Sequence, residues 1–219
     1  MIFFPTILIT FIGFILLLPM LFLMGYFHIL TLSFGKLGIS SDATFILLFL
    51  ILIGSCINIP LTKKKLIYTE RTRFFGLWRK PIMSVQAIAI NLGGAIIPAL
   101  LSFYFLYKGW QIGFDLYPIF KATALMALVS KFLAKIVPGK GITIPVFAPP
   151  VLAALLALIF APGFASPAAF IIGSLGTLIG ADLLNLKKAQ RLSPGFLSIG
   201  GAGVFDGIFL VGIVSALLS

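Results

Sequence analysis

The stretch PAAFIIGSLGTLIGADLLNLKKAQRLSPGFLSIGGAGVFDGIFLVGIVSALL, residues 167–218, decides the fold class of this chain. It contains two long apolar runs, approximately 167–186 and 197–218, which are joined by a short basic connection around Pro194. A helix needs about 20 consecutive apolar residues to cross the hydrocarbon of a bilayer. We therefore predict that this stretch forms a transmembrane helical hairpin.

The composition of the whole chain extends this prediction to all 219 residues. Hydrophobic residues make up 61% of the chain and charged residues 10%, whereas a soluble domain has roughly 25% charged residues. We predict an all-α fold, a polytopic transmembrane bundle of about seven spans that forms a single integral membrane domain, 1–219. The predicted spans are approximately 2–25, 43–61, 83–107, 116–137, 142–161, 167–186 and 197–218. The first run lacks a basic segment before it and is too long for a signal peptide, so we expect it to be retained.

The net charge of +11 is concentrated in alternate connections between the predicted spans. The basic residues of those connections are Lys63, Lys64, Lys65, Arg71, Arg73, Arg79, Lys80, Lys131, Lys135, Lys140, Lys187, Lys188 and Arg191. Basic loops stay on the cytoplasmic side, so this pattern predicts a cytoplasmic N-terminus and an outside C-terminus. We expect a multi-pass protein of a prokaryotic plasma membrane, with anionic lipid headgroups as partners and no nucleic-acid partner.

Two aspartates, Asp182 and Asp206, lie inside the last two predicted spans of a chain that has only five acidic residues. A carboxylate in hydrocarbon costs several kcal/mol, so an intramembrane acid indicates a functional site. The helical hairpin brings both carboxylates toward one side of the membrane. Asn185 follows Asp182 by three residues, and on a regular helix it would share the same face and orient the Asp182 carboxylate.

Glycines and prolines near these acids predict close packing and broken helices. The supporting residues that we assign to the site are Gly180, Asn185, Gly201, Gly203 and Gly207, and the residues expected to line a wet cavity are Asn91, Pro98, Pro145, Pro149 and Pro150. Proline removes a backbone donor, and irregular backbone at membrane depth must face protein or water. The pair Gly176 and Gly180 has a spacing that allows another helix to approach closely, and we expect that helix to be the last span.

The runs 180–186 and 200–207 resemble the signature of an uncharacterised prokaryotic family of multi-pass membrane proteins, a domain-of-unknown-function family, over most of the chain. More distantly, the two acids resemble the intramembrane aspartyl proteases, the group of presenilin, signal peptide peptidase and prepilin peptidase. In presenilin-like members the first aspartate lies on a span that runs toward the cytoplasm, and the second lies on the next span, which returns. Asp182 and Asp206 have that same predicted topology.

The chain also departs from the protease pattern at three places. Two residues separate Gly203 from Asp206, where the family has Gly-x-Gly-Asp, and Ala181 stands where presenilin-like members have tyrosine. A Pro-Ala-Leu triplet is expected downstream of the acids, whereas the one in this chain, residues 98–100, lies far upstream.

The resemblance implies hydrolysis of a peptide bond in a membrane-embedded substrate helix, with Asp182 and Asp206 as the catalytic residues. Two close carboxylates in a low dielectric cannot both ionise, so one acid can activate water while the other protonates the scissile carbonyl. An alternative function is proton- or cation-coupled transport with the same aspartates. A third interpretation is a structural module in which the acids pair with Lys187, Lys188 or Arg191. A chain with one cysteine and one histidine predicts no metal site and no cofactor.

Overall fold

The computed structural model describes residues 25, 27–63, 65–73, 78–137, 141–192, 196–201 and 207–219, with the backbone alone for 65–73, 78–85, 192 and 207–209. The described chain is mostly helical, which confirms the helical character predicted from the sequence. The prediction of an all-α fold is nevertheless wrong, because two small sheets accompany the helices.

The helices account for most of the described residues. They are α1 (Phe27–Lys36), α2 (Ser41–Ser55), α3 (Ile97–Gln111), α4 (Tyr117–Leu133), α5 (Ala148–Phe160), α6 (Ala165–Thr177), α7 (Leu186–Leu192) and α8 (Gly207–Leu218). Two stretches of wider π-helix interrupt this pattern: the first, Leu92–Ile96, leads into α3, and the second, Leu178–Leu183, follows α6. A short 3₁₀ turn, Pro162–Phe164, precedes α6.

The strands form one mixed sheet and one short hairpin. They are β1 (Asn58–Pro60), β2 (Lys65–Arg73), β3 (Trp78–Asn91), β4 (Lys135–Val137), β5 (Gly141–Thr143) and β6 (Phe196–Ile199). Strand β3 pairs antiparallel with β2 and with β1, and its last residues pair in parallel with β6 on the edge opposite β1. Strands β4 and β5 pair only with each other among the described strands.

The third predicted span, 83–107, is wrong in its first half, because residues 83–91 belong to β3. A short apolar run can be a buried strand or a buried helix, and hydropathy alone does not separate the two. Here the backbone of β3 finds partners on both edges, in β1 and in β6, so the strand needs no helical hydrogen bonds. The helical part of this predicted span begins at Leu92.

Within the described residues, two helical segments are long and apolar enough to cross a membrane, Leu92–Gln111 and Pro162–Arg191. The pair α1 and α2 also passes that test together, although the two helices meet at an angle of 114°. The apolar helix α5 has 13 residues, fewer than a crossing requires. The first predicted span, 2–25, lies outside the described residues apart from residue 25.

Helix α6 lies at the centre of the bundle and packs against α3, α4, α5 and α8. Its small residues Ala168 and Ala169 are completely buried, as is Phe170, whose ring meets that of Phe105 edge-on at 5.4 Å between centroids. Large apolar side chains on the outer helices are exposed instead, among them Phe49, Phe103, Trp110, Phe132 and Ile159. An apolar exterior around a close-packed interior fits a surface that faces lipid.

The expected packing of α6 against the last helix, α8, is confirmed, but Gly176 and Gly180 themselves approach α4. A Cβ on Gly176 would lie 2.6 Å from Cγ of Met126, and a Cβ on Gly180 would overlap the backbone of Ala127. It is Gly173, one turn earlier, that faces Val211 and Ser215 of α8. The glycines of α6 and of the π-helical stretch that follows it therefore allow α4 and α8 to approach this backbone closely.

Replacing Gly180 with alanine tests this close approach. Gly180→Ala should lower the free energy of unfolding by about 1–3 kcal/mol, because the added methyl group overlaps the Ala127 backbone. The control is Gly35→Ala in α1, where no atom lies within 4 Å of the added Cβ, and alanine there should be neutral or stabilising by up to about 1 kcal/mol. Thermal unfolding of both purified variants in detergent measures the difference. Equal stability of the two variants would contradict the packing described here.

Candidate functional site

Three interruptions of regular structure meet around Asp182. They are the π-helical stretch Leu92–Ile96, the π-helical stretch Leu178–Leu183 and the turn that follows β6 at Gly200 and Gly201. The Gly200 amide donates a hydrogen bond of 2.7 Å to Oδ2 of Asp182. A Cβ on Gly200 would lie 2.7 Å from the backbone nitrogen of Ala95, which belongs to the first π-helical stretch. Single-turn π-helices occur often at functional sites, so this junction is the candidate site.

Asp182 lies within the second π-helical stretch, inside the candidate span Pro162–Arg191. Its side chain is half-buried, and the hydrogen bond from Gly200 is charge-assisted when the carboxylate is ionised. Among the described residues, no ion pair joins this carboxylate to Lys187, Lys188 or Arg191. For Asp182 the structure therefore shows a backbone partner in place of the lysine or arginine that a purely structural role would use.

The Gly200–Gly201 turn has a backbone conformation that favours glycine. Gly200 has a φ of 81° and Gly201 a φ of 80°, both in the left-handed region that other residues rarely adopt. The Gly201 amide closes the turn by donating to the Ser198 carbonyl at 3.2 Å. This turn leaves the Gly200 amide free to donate to Asp182, and Gly201 contributes to the turn through its backbone.

Asn185 contacts α4 and not the Asp182 carboxylate. Its side-chain amide is buried and donates to the carbonyl of Lys131 at 3.1 Å and to the carbonyl of Gly180 at 3.2 Å. The sequence-based expectation assumed regular helical geometry between positions 182 and 185. A π-helix has more residues in each turn than an α-helix, so positions 182 and 185 no longer share a face. The Asn185 side chain instead joins the end of the π-helical stretch to α4.

Asn91 forms the centre of a buried polar network next to the first π-helical stretch. It is completely buried, and its Nδ2 donates to the Ser55 carbonyl at 2.8 Å and to Oδ1 of Asn58 at 3.2 Å. Its Oδ1 accepts the Gly94 amide at 2.7 Å and thereby caps the π-helical stretch. Asn91 was predicted to line a cavity, whereas these contacts show an amide that joins α2, β1 and the start of the span.

Two members of this network, Asn58 and Ser198, were not among the site residues predicted from the sequence. The Ser198 hydroxyl donates to Oδ1 of Asn58 at 2.5 Å, which links β6 to β1 across the intervening strand β3. A signal for β1 was present, since Pro60 restricts the residue before it to extended conformations. No local pattern, however, indicates that a serine 140 residues later reaches the same amide.

The predicted cavity-lining prolines lie at or just before the first turns of α3 and α5. Pro98 is buried in the first turn of α3, and Pro149 and Pro150 are buried in the first turn of α5, a position where the missing amide of proline costs little. Pro145 is exposed before α5. Pro145 and Pro150 line a separate cavity of about 240 Å³ against α8 residues Leu210, Val211 and Val214.

Comparison with known proteins gives one match. A family described as "Protein of unknown function (DUF1614)" matches residues 52–218, which is most of the chain. The chain belongs to the DUF1614 family. No curated protein and no solved structure matches it. The DUF1614 region begins near the end of α2 and includes both π-helical stretches, the sheet, and both aspartates.

Two of the predicted site residues of this DUF1614 protein, Gly203 and Asp206, lie outside the described residues. The described chain resumes at Gly207, which is the first residue of α8 and directly follows Asp206. Asp206 lies six positions after Gly200, so at most about 22 Å of extended chain joins the Gly200 amide to the second aspartate. In the described part of the chain, no three His, Cys, Asp or Glu side chains form a metal-binding group.

A pair of glycine variants tests how tightly the Gly200 turn is held. Gly113 and Gly200 have similar left-handed φ angles, 75° and 81°, but only Gly200 is crowded, since nothing lies within 4 Å of a Cβ on Gly113. Gly113→Ala should lower the free energy of unfolding by about 1–2 kcal/mol through the backbone alone. Gly200→Ala should cost about 1–3 kcal/mol more, because its methyl group meets Ala95. Equal losses in thermal unfolding would show that the turn is not packed against Ala95.

Proposed function

We propose that this DUF1614 protein is an intramembrane aspartyl protease-like enzyme in which Asp182 and Asp206 form the catalytic pair. The observation that carries the proposal is the hydrogen bond from the Gly200 amide to the Asp182 carboxylate. It fixes the first acid against the turn from which the chain continues to the second acid. An acid inside a candidate membrane span, held by a backbone amide without an ion-pair partner among the described residues, fits a reactive group better than a structural charge.

The surroundings of Asp182 support access for a substrate from the bilayer. Its neighbour Leu183 is 45% exposed, and Ile179, one turn earlier, is 37% exposed. Apolar side chains exposed beside a half-buried acid give a membrane-embedded helix a surface on which to dock. A substrate helix would unwind locally there and present one peptide bond to the two carboxyl groups.

The proposed reaction needs one ionised and one protonated carboxyl group. The ionised carboxylate removes a proton from water, the water oxygen attacks the scissile carbonyl carbon, and the protonated acid gives its proton to the carbonyl oxygen. Collapse of the tetrahedral intermediate breaks the C–N bond, and the departing nitrogen receives the proton taken from water. The products are a carboxylic acid and an amine, and the pair regains its single shared proton.

Substitution of each acid by asparagine tests the protease proposal. Asp182→Asn and Asp206→Asn should each reduce cleavage of a transmembrane substrate peptide in detergent by a factor on the order of 10² to 10⁴. The asparagine side chain in the Asp182→Asn variant retains an oxygen that can accept the Gly200 amide, so the fold should survive that change. The matched control is Asp42→Asn, which alters an exposed acid in the first turn of α2 and should cleave normally. Undiminished cleavage by either site variant would refute the catalytic pair.

Coupled transport is the second candidate function, and a different observation favours it. A candidate span begins with a π-helical stretch whose entry is capped by the buried amide of Asn91, in contact with Asn58 and Ser55. Broken helices with polar groups near the break are typical of the binding sites of secondary transporters. The same asparagine variants separate the functions: aspartate-dependent proton or cation flux in liposomes, with no peptide cleavage, would favour transport.

We also propose a multi-pass topology of about seven crossings in the cell membrane, with the basic connections in the cytoplasm, the N-terminus in the cytoplasm and the C-terminus outside. Two observations support the placement of the basic connections at one end of the molecule and of the C-terminus at the other. Lys131, Lys135 and Lys188, from two different basic connections, line one pocket. Lys36, which was assigned to the other side, donates to the carbonyl of Leu217 at 2.7 Å and so lies beside the C-terminal end of α8.

A reporter fusion tests this orientation. A reporter enzyme that works only outside the cytoplasm should be active when it is fused after Ser219. The reason is that the basic connections stay in the cytoplasm, which places the C-terminal end of α8 on the other side of the membrane. The same reporter inserted between β4 and β5 should be inactive. Activity at the β4–β5 position and none after Ser219 would reverse the orientation.

A further inference from the structure

A basic pocket lies at the end of α4, outside the aspartate site. Its volume is about 630 Å³, and it is lined by Lys131, Phe132, Ala134, Lys135, Ile136, Leu184, Asn185 and Lys188. Three of these residues are lysines with exposed side chains, and none is acidic. Three cations that face one space, without an acid among the lining residues, attract an anion. The chemistry that the pocket selects is therefore that of a phosphate or another compact anion.

An apolar groove continues from this pocket along α4. The groove has a volume of about 420 Å³ and is lined by Phe120, Thr123, Ala124, Ala127, Leu128, Ile179 and Leu184. Leu184 lines both the pocket and the groove, so the two spaces adjoin. The part of α4 from Phe120 to Lys131 is about 17 Å long. The groove along it is therefore long enough to hold part of a fatty acyl chain, whereas a small ion would occupy only a fraction of it.

The groove exists because of how the second π-helical stretch packs on α4. Gly180 brings the backbone of that stretch against Ala127, and Asn185 fastens its end to the Lys131 carbonyl. The groove lies beside these two contacts, and Ala127 and the exposed Leu184 are among the residues that line it. The site is thus built from contacts that are themselves buried, and its lysines stand at one end of it.

We propose that this pocket and groove bind one anionic phospholipid, with the headgroup phosphate among Lys131, Lys135 and Lys188 and one acyl chain in the furrow along α4. Charge complementarity selects the anionic headgroup, and the apolar continuation of the pocket selects a lipid over a free anion. Basic pockets between membrane helices commonly hold anionic headgroups. No described aspartate lines this site, although the groove shares Ile179 with the docking surface proposed for the substrate. The site lies at the end of the molecule to which the basic connections belong.

The first test compares two lipids on the unmodified protein. Full-length protein in detergent is titrated with phosphatidylglycerol or with phosphatidylcholine of the same acyl chains, and bound lipid is counted by native mass spectrometry. The anionic lipid should bind more tightly, with one copy retained at the lowest concentrations. Equal binding of the two lipids would overturn the proposal, and this comparison requires no variant to fold.

The second test removes the charges. Lys131→Gln with Lys188→Gln should weaken phosphatidylglycerol binding about fivefold for each lysine, or roughly thirtyfold for the pair, and leave phosphatidylcholine unchanged. The control, Lys108→Gln with Lys121→Gln, removes the same charge from residues that do not line the pocket, and it should bind like the unmodified protein. Equal weakening in both double variants would show that net charge, and not the pocket, attracts the lipid.

The third test separates a lipid from a free anion. Ala124→Trp should fill the groove and weaken phosphatidylglycerol binding, whereas Leu125→Trp, at an exposed position outside the groove, should have no effect. Inorganic phosphate at millimolar concentration should fail to displace the lipid. Displacement by phosphate, together with normal binding in Ala124→Trp, would identify a site for a free anion and overturn the lipid assignment.

Discussion

Backbone amides and carbonyls that are removed from water must find partners inside the protein, and this constraint governs the interrupted segments of the structure. The backbone groups at the end of strand β3 pair with β1 on one edge and with β6 on the other. The Asn91 side chain caps the π-helical stretch that follows β3. At the other break, the Gly200 amide is satisfied by the Asp182 carboxylate. The hydrogen bonds that satisfy the backbone at these interruptions therefore also hold the Asp182 side chain in place.

Close approach of helix backbones makes these interruptions possible. Helix α6 is lined with alanine and glycine, and its continuation reaches the backbone of α4 at Gly180. Because the two backbones touch there, the π-helical stretch is held on one side by packing and on the other by Asn185. Asp182 projects from a segment that is distorted but firmly supported. A reactive carboxylate benefits from such support, since its position does not depend on long flexible side chains.

The two ends of the molecule differ in chemistry. At one end, lysines from separate connections line a common pocket that adjoins an apolar groove. At the other end, the Lys36 ammonium group donates to the Leu217 carbonyl of α8, and Lys108 and Lys121 lie over the rings of Tyr104 and Tyr117. Cations beside tyrosine rings are typical of residues at a membrane interface. This asymmetry is the physical basis of the orientation and of the lipid preference that we propose.

The sequence by itself determined the apolar, mostly helical character of this chain, because hydropathy follows directly from composition, and it singled out Asp182, because an acid in an apolar run is costly. It did not determine that residues 83–91 form a strand, since a buried strand and a buried helix are equally apolar, and the choice depended on partners in β1 and β6. Nor did it determine that Gly200 and not Asn185 holds the carboxylate, because a π-helix changes which side chains share a face. Local pattern sets which residues avoid water, whereas tertiary pairing decides which of their polar groups meet.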